Sequence, residues 1–175
     1  MANPLRVQAA ELLRRPGSEK HLDLEVTVDD VGIDDDRFRP TDPVRVHLRL
    51  EALTDGIVVN GEVVAPWHGT CRRCAAAAGG VLHSEVHELY QDVVTDPDAF
   101  PLEGDQLDLE PMVREVLVLD APMSPLCRDD CAGLCPQCGT DLNSGSCSCD
   151  APPSDPRWGA LDQLRATLDE GDPTD

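Results

Sequence analysis

Apolar and polar residues alternate along much of the first half of this chain. Leu22, Leu24, Val26 and Val28 fall on one side of the run His21–Val28. Val44, Val46, Leu48 and Leu50 do the same in Val44–Leu53, with Arg45, His47 and Arg49 on the other side. Ile57–Thr70 and a run from Gly79-Gly80 to about Tyr90 are further extended segments. A period of two is the signature of strands with one buried face. Thr54-Asp55-Gly56 predicts a turn. Asn60-Gly61, the strongest short hairpin dipeptide, predicts a break inside the third run. These strands predict an antiparallel meander, closed as a small curved sheet or a barrel.

The period then changes. Leu109, Met112, Val113, Val116 and Leu117 recur at helical spacing, with Asp108 placed as an N-cap and Pro111 in the first turn. That helix should end before Pro122. Val7, Ala10, Leu12 and Leu13 predict one short amphipathic helix stopped at Pro16-Gly17. Asp29–Asp36 and Asp92–Gln106 read as polar loops. A Pro-rich link, Ala151–Pro156, leads to a short helix carrying Trp158, Leu161 and Leu164, then to an acidic tail. The predicted class is α+β. It has an N-terminal segment (1–20), a β-rich core with a closing helix (21–122), a cysteine-rich segment (123–150), and a linker, short helix and tail (151–175).

Charge narrows the function. The 175 residues include 14 Lys and Arg against 34 Asp and Glu, a formal net charge of −20. Such a chain is repelled by nucleic acid and by anionic membrane surfaces unless it carries a local basic stripe. Its favoured partners are cationic: a basic protein or a metal. Phe38, Trp67, Tyr90, Phe100 and Trp158 are too few and scattered for a base-stacking platform. Met1–Arg15 lacks a leader-like apolar stretch, and no run approaches the ~18 apolar residues of a membrane span. The expected setting is the cytoplasm, where thiols stay reduced and clustered cysteines read as metal ligands or redox groups.

There are 8 cysteines. The distal six are spaced Cys127-x3-Cys131-x3-Cys135-x2-Cys138-x8-Cys147-x-Cys149. Cys135-Pro-Gln-Cys138-Gly139 is a zinc-knuckle turn, in which two intervening residues let the backbone curl until both sulfurs meet one ion. Cys147 and Cys149 supply a second pair. Six thiols exceed the four of one tetrahedral zinc, and Cys71-Arg72-Arg73-Cys74 adds another x2 pair upstream. One division of the eight gives two structural zinc sites. Cys71, Cys74, Cys127 and Cys131 form the first, and Cys135, Cys138, Cys147 and Cys149 the second. The rival division places one zinc among the distal six and leaves Cys71 and Cys74 as a dithiol. Redox chemistry competes, but a thioredoxin-type pair opens a helix, and Gly79-Gly80 would stop any helix begun at Ala75. His83, Glu85 and His87 share one face of a strand without the spacing of a metalloprotease motif. No nucleophile elbow, P-loop or dinucleotide fingerprint is present, so no enzymatic role is expected. Arg72 and Arg73, with Arg45, Arg49 and His47, are the candidate basic patch for direct RNA binding.

At the cysteines the order of features resembles the YceD family, the large-subunit ribosomal RNA accumulation proteins. The matching pieces are Cys71-Arg72-Arg73-Cys74 after a Gly-bearing strand, and the helix with Asp108-Leu109 and Glu115. The run from Leu126 to Asn143 follows, including Gly133-Leu134-Cys135-Pro136 and Cys138-Gly139. Cys147-Ser-Cys149 and Asp155-Pro156-Arg157 complete the match. The resemblance spans roughly residues 20–165 and is most specific from Leu126 to Asn143. It implies a bacterial or organellar protein that supports accumulation of large-subunit (23S) rRNA and so ribosome assembly. It also implies proximity to a small basic ribosomal protein of the large subunit. Together with the charge, it predicts a partner that is a basic ribosomal protein or a pre-ribosomal particle, with any rRNA contact indirect and no membrane contact.

Overall fold

The computed structural model describes residues 3–149, 156–159 and 161. The chain divides into two units, Met1–Gly133 and Leu134–Asp175, with the cut inside the cysteine-rich run. The first unit contains β1 (Arg6–Gln8), α1 (Ala10–Leu13), β2 (Glu19–Thr27), α2 (Val28–Val31), β3 (Pro43–Ala52), β4 (Ile57–Thr70), β5 (Ala77–Gln91), β6 (Phe100–Pro101), β7 (Gln106–Asp108) and α3 (Glu110–Asp120). β2 to β6 form one sheet in sequence order, antiparallel except for the short parallel β5–β6 pair. β1 and β7 make a separate two-stranded ribbon.

The alternation in sequence becomes two faces. Val44, Val46, Leu48 and Leu50 are buried on the inner face of β3, while Arg45 and His47 stand outside. α3 lies on the inner face against β4 and β5. It contributes Met112, Val113 and Leu117 to a core with Leu5, Leu50, Ile57, Tyr90 and Leu107. Each fully buried aliphatic side chain contributes about 1.5–3 kcal/mol of transfer free energy. The core is therefore the one-sided filling between sheet and helix. The sheet is open, with β2 and β6 at its edges, and does not close into a barrel.

Four local expectations are corrected. Asn60-Gly61 does not turn the chain: β4 runs straight through it, with Gly61 opposite Leu48 on one side and Val86 on the other. Gly61 has φ +148°, and a Cβ there would sit 2.0 Å from the His47 carbonyl oxygen. The glycine serves close strand approach, not a hairpin. The N-terminal helix is only four residues, because Val7 is drawn into β1 by pairing with Leu107. The acidic loop at Asp29–Asp36 opens with α2, which carries a capping box. The Thr27 hydroxyl oxygen accepts the Asp30 N–H, and the Asp30 carboxylate accepts the Thr27 N–H. The polar stretch after β5 contains β6 and β7, and its start is anchored by buried Gln91, whose Oε1 accepts the N–H groups of Thr95 and Asp96.

The loop after α2 docks onto the end of α3. Arg37 Nη1 donates to the Ala121 carbonyl at 2.6 Å and Nη2 to the Val118 carbonyl at 3.1 Å, while Asp35 holds the guanidinium from the other side at 2.7 Å. The side chain thus caps α3 from a distant loop. His68 on β4 contacts Asp42 at 2.8 Å and its N–H donates to the Arg37 carbonyl, closing the loop against the sheet.

In the second unit, Leu134 and Asp141 form an isolated bridge around the knuckle turn. Residues 156–158 form a single 3-10 turn. The expected helix through Leu161 and Leu164, like the acidic tail, lies largely outside the described residues.

Candidate metal centres

The first centre is built at the tip of a long hairpin. The β3–β4 ladder ends at Arg45–Val64, whereas the β4–β5 ladder continues to Thr70–Ala77. The two strands therefore run past the rest of the sheet, and Cys71–Cys74 is the turn that joins them. The Cys71 N–H donates to the Ala76 carbonyl and the Ala75 N–H to the Cys71 carbonyl. Ala75 takes a left-handed φ of 59° to complete the curl.

After α3 the chain returns to this tip. The Pro125 carbonyl accepts the Arg72 N–H at 2.9 Å, and Arg73 Nη1 donates to the Cys131 carbonyl at 2.8 Å. Gly133, at φ +78°, lies so close to Arg73 that a Cβ would meet its carbonyl oxygen at 3.1 Å. These contacts bring Cys127 and Cys131 over the turn. The Cys71–Cys131 and Cys74–Cys127 Sγ separations are 3.8 and 3.6 Å, and all four sulfurs lie within 4.8 Å of one another.

The second centre belongs to the second unit. The Cys135 N–H donates to the Thr140 carbonyl and the Gly139 N–H to the Cys135 carbonyl. Gly139 at φ +73° ends the turn, a conformation that favours glycine. Cys135, Cys138, Cys147 and Cys149 again place four sulfurs within 4.8 Å. Cys135 is buried and Cys138 exposed, with the Cys138 sulfur 3.1 Å from the Thr140 hydroxyl.

Both donor sets fit one ion each. Around a tetrahedral ion with metal–sulfur bonds of about 2.3 Å, the sulfur–sulfur edge is about 3.8 Å. Disulfides would close that distance to about 2.05 Å, and all eight cysteines are free. The local electrostatics point the same way. Burial raises the Cys71 thiol, but backbone N–H groups of Cys127, Cys74 and Arg73 outweigh it and hold the group at about 6. Cys138 is lowered to about 6 by the Thr140 hydroxyl and backbone. Across each cluster the opposite happens: Cys127 is pushed up to about 12, chiefly by Cys74, and Cys149 to about 12, chiefly by Cys138. Four thiolates cannot share so small a volume without a cation. Each cluster could therefore hold a metal ion.

Arg45, His47 and Arg49 do line one exposed face of β3, but each meets a carboxylate across the sheet. Arg45 pairs with Glu25 at 3.1 Å, His47 with Asp23 at 2.8 Å, and Arg49 with Glu19 at 3.2 Å. Arg72 and Arg73 lie apart from them in the hairpin turn. Sequence reasoning overlooked the opposite feature. From Cys74 to Val113 there is no Lys or Arg, and there are nine acidic residues. Folding concentrates several of these beside β5. Burial raises the Glu88 carboxyl above its usual range, and Glu115 and Asp98 raise it further. The gap between Arg73 and Arg114 was a readable signal; its focus on one sheet edge was not.

Among the described residues no helix is long and apolar enough to cross a membrane. No solved structure shows a significant match to the chain. An uncharacterized protein of Mycobacterium tuberculosis is 33% identical, over 94% of this chain and 83% of the relative. Protein YlbN of Bacillus subtilis is 28% identical, over 76% and 80%. The chloroplastic YCED homolog 1 of Arabidopsis thaliana, named as a large ribosomal RNA subunit accumulation protein, is 30% identical over 41% of this chain and 22% of its own length. The family model described as large ribosomal RNA subunit accumulation protein YceD matches residues 59–165, which begin in β4 and take in the hairpin turn, α3 and all eight cysteines. With the fold and both cysteine clusters inside or beside that span, the chain belongs to the YceD family.

Proposed function

We propose that this protein is a non-enzymatic ribosome assembly factor. It supports accumulation of large-subunit rRNA by holding a basic ribosomal protein, or a pre-ribosomal particle that presents one, on an acidic surface. The single observation that carries this reading is the stretch from Cys74 to Val113, free of Lys and Arg, which sets Glu85, Glu88, Asp96 and Asp98 on or beside β5 within a chain of net charge −20. Such a surface attracts a basic polypeptide over a Debye length of about 8–10 Å and repels RNA phosphates. The family supplies the ribosomal context. The pairing of Arg45, His47 and Arg49 with carboxylates argues against that face as an RNA platform.

In this reading each cysteine cluster holds a zinc ion, and zinc is structural. It supplies a tetrahedral crosslink. The chain's own residues do the rest: backbone N–H groups orient Cys71 and Cys135 as thiolates, and the Arg73–Cys131 bond seats the returning segment. The protein works in the cytoplasm, and its contact with rRNA is indirect.

The test is affinity capture from lysate at low salt, followed by identification of the retained proteins and stepwise salt elution. Basic large-subunit ribosomal proteins should be retained and released steeply as salt rises. Retention of no ribosomal protein at low salt, or tight binding of naked rRNA by the purified chain, would overturn the proposal.

A further inference from the structure

β5 is an edge strand for most of its length. β6 covers only Tyr90 and Gln91. Among the described residues no backbone group pairs with the outward side of β5 between Ala77 and His87; the Leu89 carbonyl is taken by β6, because Pro101 has no N–H and the parallel Tyr90–Phe100 pairing must run through the Phe100 N–H. The direction of that side follows from one bond. The Gln91 carbonyl faces outward, because it accepts the Leu102 N–H at 2.8 Å. The β4–β5 register is uninterrupted, so odd-numbered residues point their backbone groups the same way. Val81, His83, Glu85 and His87 thus present a row of unpaired N–H and C=O groups.

Proteins blunt such edges with lysine, proline or a bulge. This edge has none of them from Ala77 to Gln91. Its protection is charge. Glu85 and Glu88 lie on the strand, and Asp96 and Asp98 lie on the loop beside it. A second copy of this chain, also at −20, is therefore a poor occupant. The chain's own residues 162–175 are equally unsuited, carrying Asp162, Asp169, Glu170, Asp172 and Asp175 against Arg165. A cationic segment meets no such barrier. At the lower end of the edge, a concavity of about 350 Å³ offers an apolar floor of Leu53, Val58 and Leu89 and an acidic rim of Glu88, Asp96 and Asp98.

We propose that the β5 edge from Val81 to His87 is a docking strand for an extended cationic segment of a protein partner, which joins the sheet next to β6. The main chain of the segment would pair with the odd-numbered residues. One apolar side chain would enter the concavity, and flanking Lys or Arg would meet the acidic rim. This deepens, and rests on, the reading of the protein as a binder of a basic ribosomal protein.

The probe is a synthetic 12-residue peptide of alternating Arg and Val, added to the full-length, metal-loaded protein. Backbone amide exchange is followed residue by residue. The peptide should slow exchange at His83, Glu85 and His87 by about tenfold or more, while the already paired even-numbered amides change little. The same peptide N-methylated at alternate residues should give no protection. His87→Pro removes an outward N–H and leaves the β4 ladder intact, so it should abolish protection without unfolding. Should that variant unfold, Glu85→Lys/Asp98→Lys takes its place, with at least a tenfold loss of affinity expected. Peptide binding without protection of the odd amides would overturn the edge proposal while leaving the electrostatic reading standing, since capture of ribosomal proteins tests that reading separately. Absence of peptide binding, or equal protection by single-stranded RNA, would also overturn it.

Discussion

The sulfurs of Cys71 and Cys131 lie 3.8 Å apart although sixty residues separate them in the chain. That contact ties the far end of the β4–β5 hairpin to the segment leaving α3. It lies wholly within the first unit, whereas the second cluster lies wholly within the second.

Two independent centres should therefore be countable. Native mass spectrometry should find two divalent ions per chain, and none after strong chelation. Cys131→Ser should lose one ion and Cys138→Ser the other. Thiol titration should find few reactive groups before chelation and eight after it. One accessible, fast-reacting thiol in the metal-loaded protein would point to a thiol enzyme instead.

Arg37 closes α3 through two carbonyls and is itself held by Asp35. Arg37→Ala should cost about 1–3 kcal/mol, because it strands helix-end carbonyls that are part-buried. Thermal unfolding with secondary-structure detection would show this as a lower Tm with the fold retained.

The same pair sets a pH dependence. Hydrogen bonds from Arg37 hold the Asp35 carboxyl below its usual value. A lowered folded-state value means the unfolded state binds the proton first. The stabilisation is complete above the unfolded value of about 3.9 and drains away as pH falls through the lower folded one. Comparing Tm against pH for the parent and Asp35→Asn should show curves that separate above about pH 4 and converge in acid.

Of the described glycines, Gly61 leaves the least room for a side chain. Gly61→Ala places a Cβ 2.0 Å from a backbone oxygen that cannot move without breaking the β3–β4 ladder. A loss of about 2–3 kcal/mol is expected in denaturant titrations. Asn60→Ala next to it, which loses only an exposed hydrogen bond to His87, should cost about 1 kcal/mol or less.

Inner and outer faces should differ just as sharply on β3. Leu50→Ala empties a fully buried site and should cost about 2–5 kcal/mol. Arg45→Ala breaks an ion pair exposed to solvent at both ends and should cost less than about 1 kcal/mol. Equal effects would mean that the sheet faces have been misassigned.

Much of this protein was legible one residue at a time. The alternation at Leu22–Val26 and Val44–Leu50 marked strands, because a half-buried strand must repeat every two residues, although Val28, read as the next strand position, opens α2. The spacing from Leu109 to Leu117 marked α3, because a helix face repeats every three to four. Cys135-x2-Cys138-Gly139 declared its turn, since its two sulfurs converge through local backbone geometry alone. Tertiary structure alone settled where a residue's meaning depends on a distant partner. Asn60-Gly61 carries a hairpin signal, yet His47 packs so closely that the glycine becomes a strand residue. Val7 has helical neighbours, but Leu107 pairs it into a ribbon. The count of eight thiols allowed more than one grouping. Which four meet depended on α3 returning the chain to the hairpin tip, a long-range contact that no local spacing encodes. The acidic excess was plain in composition, but its concentration beside an unpaired β5 edge arose only when the sheet was left open.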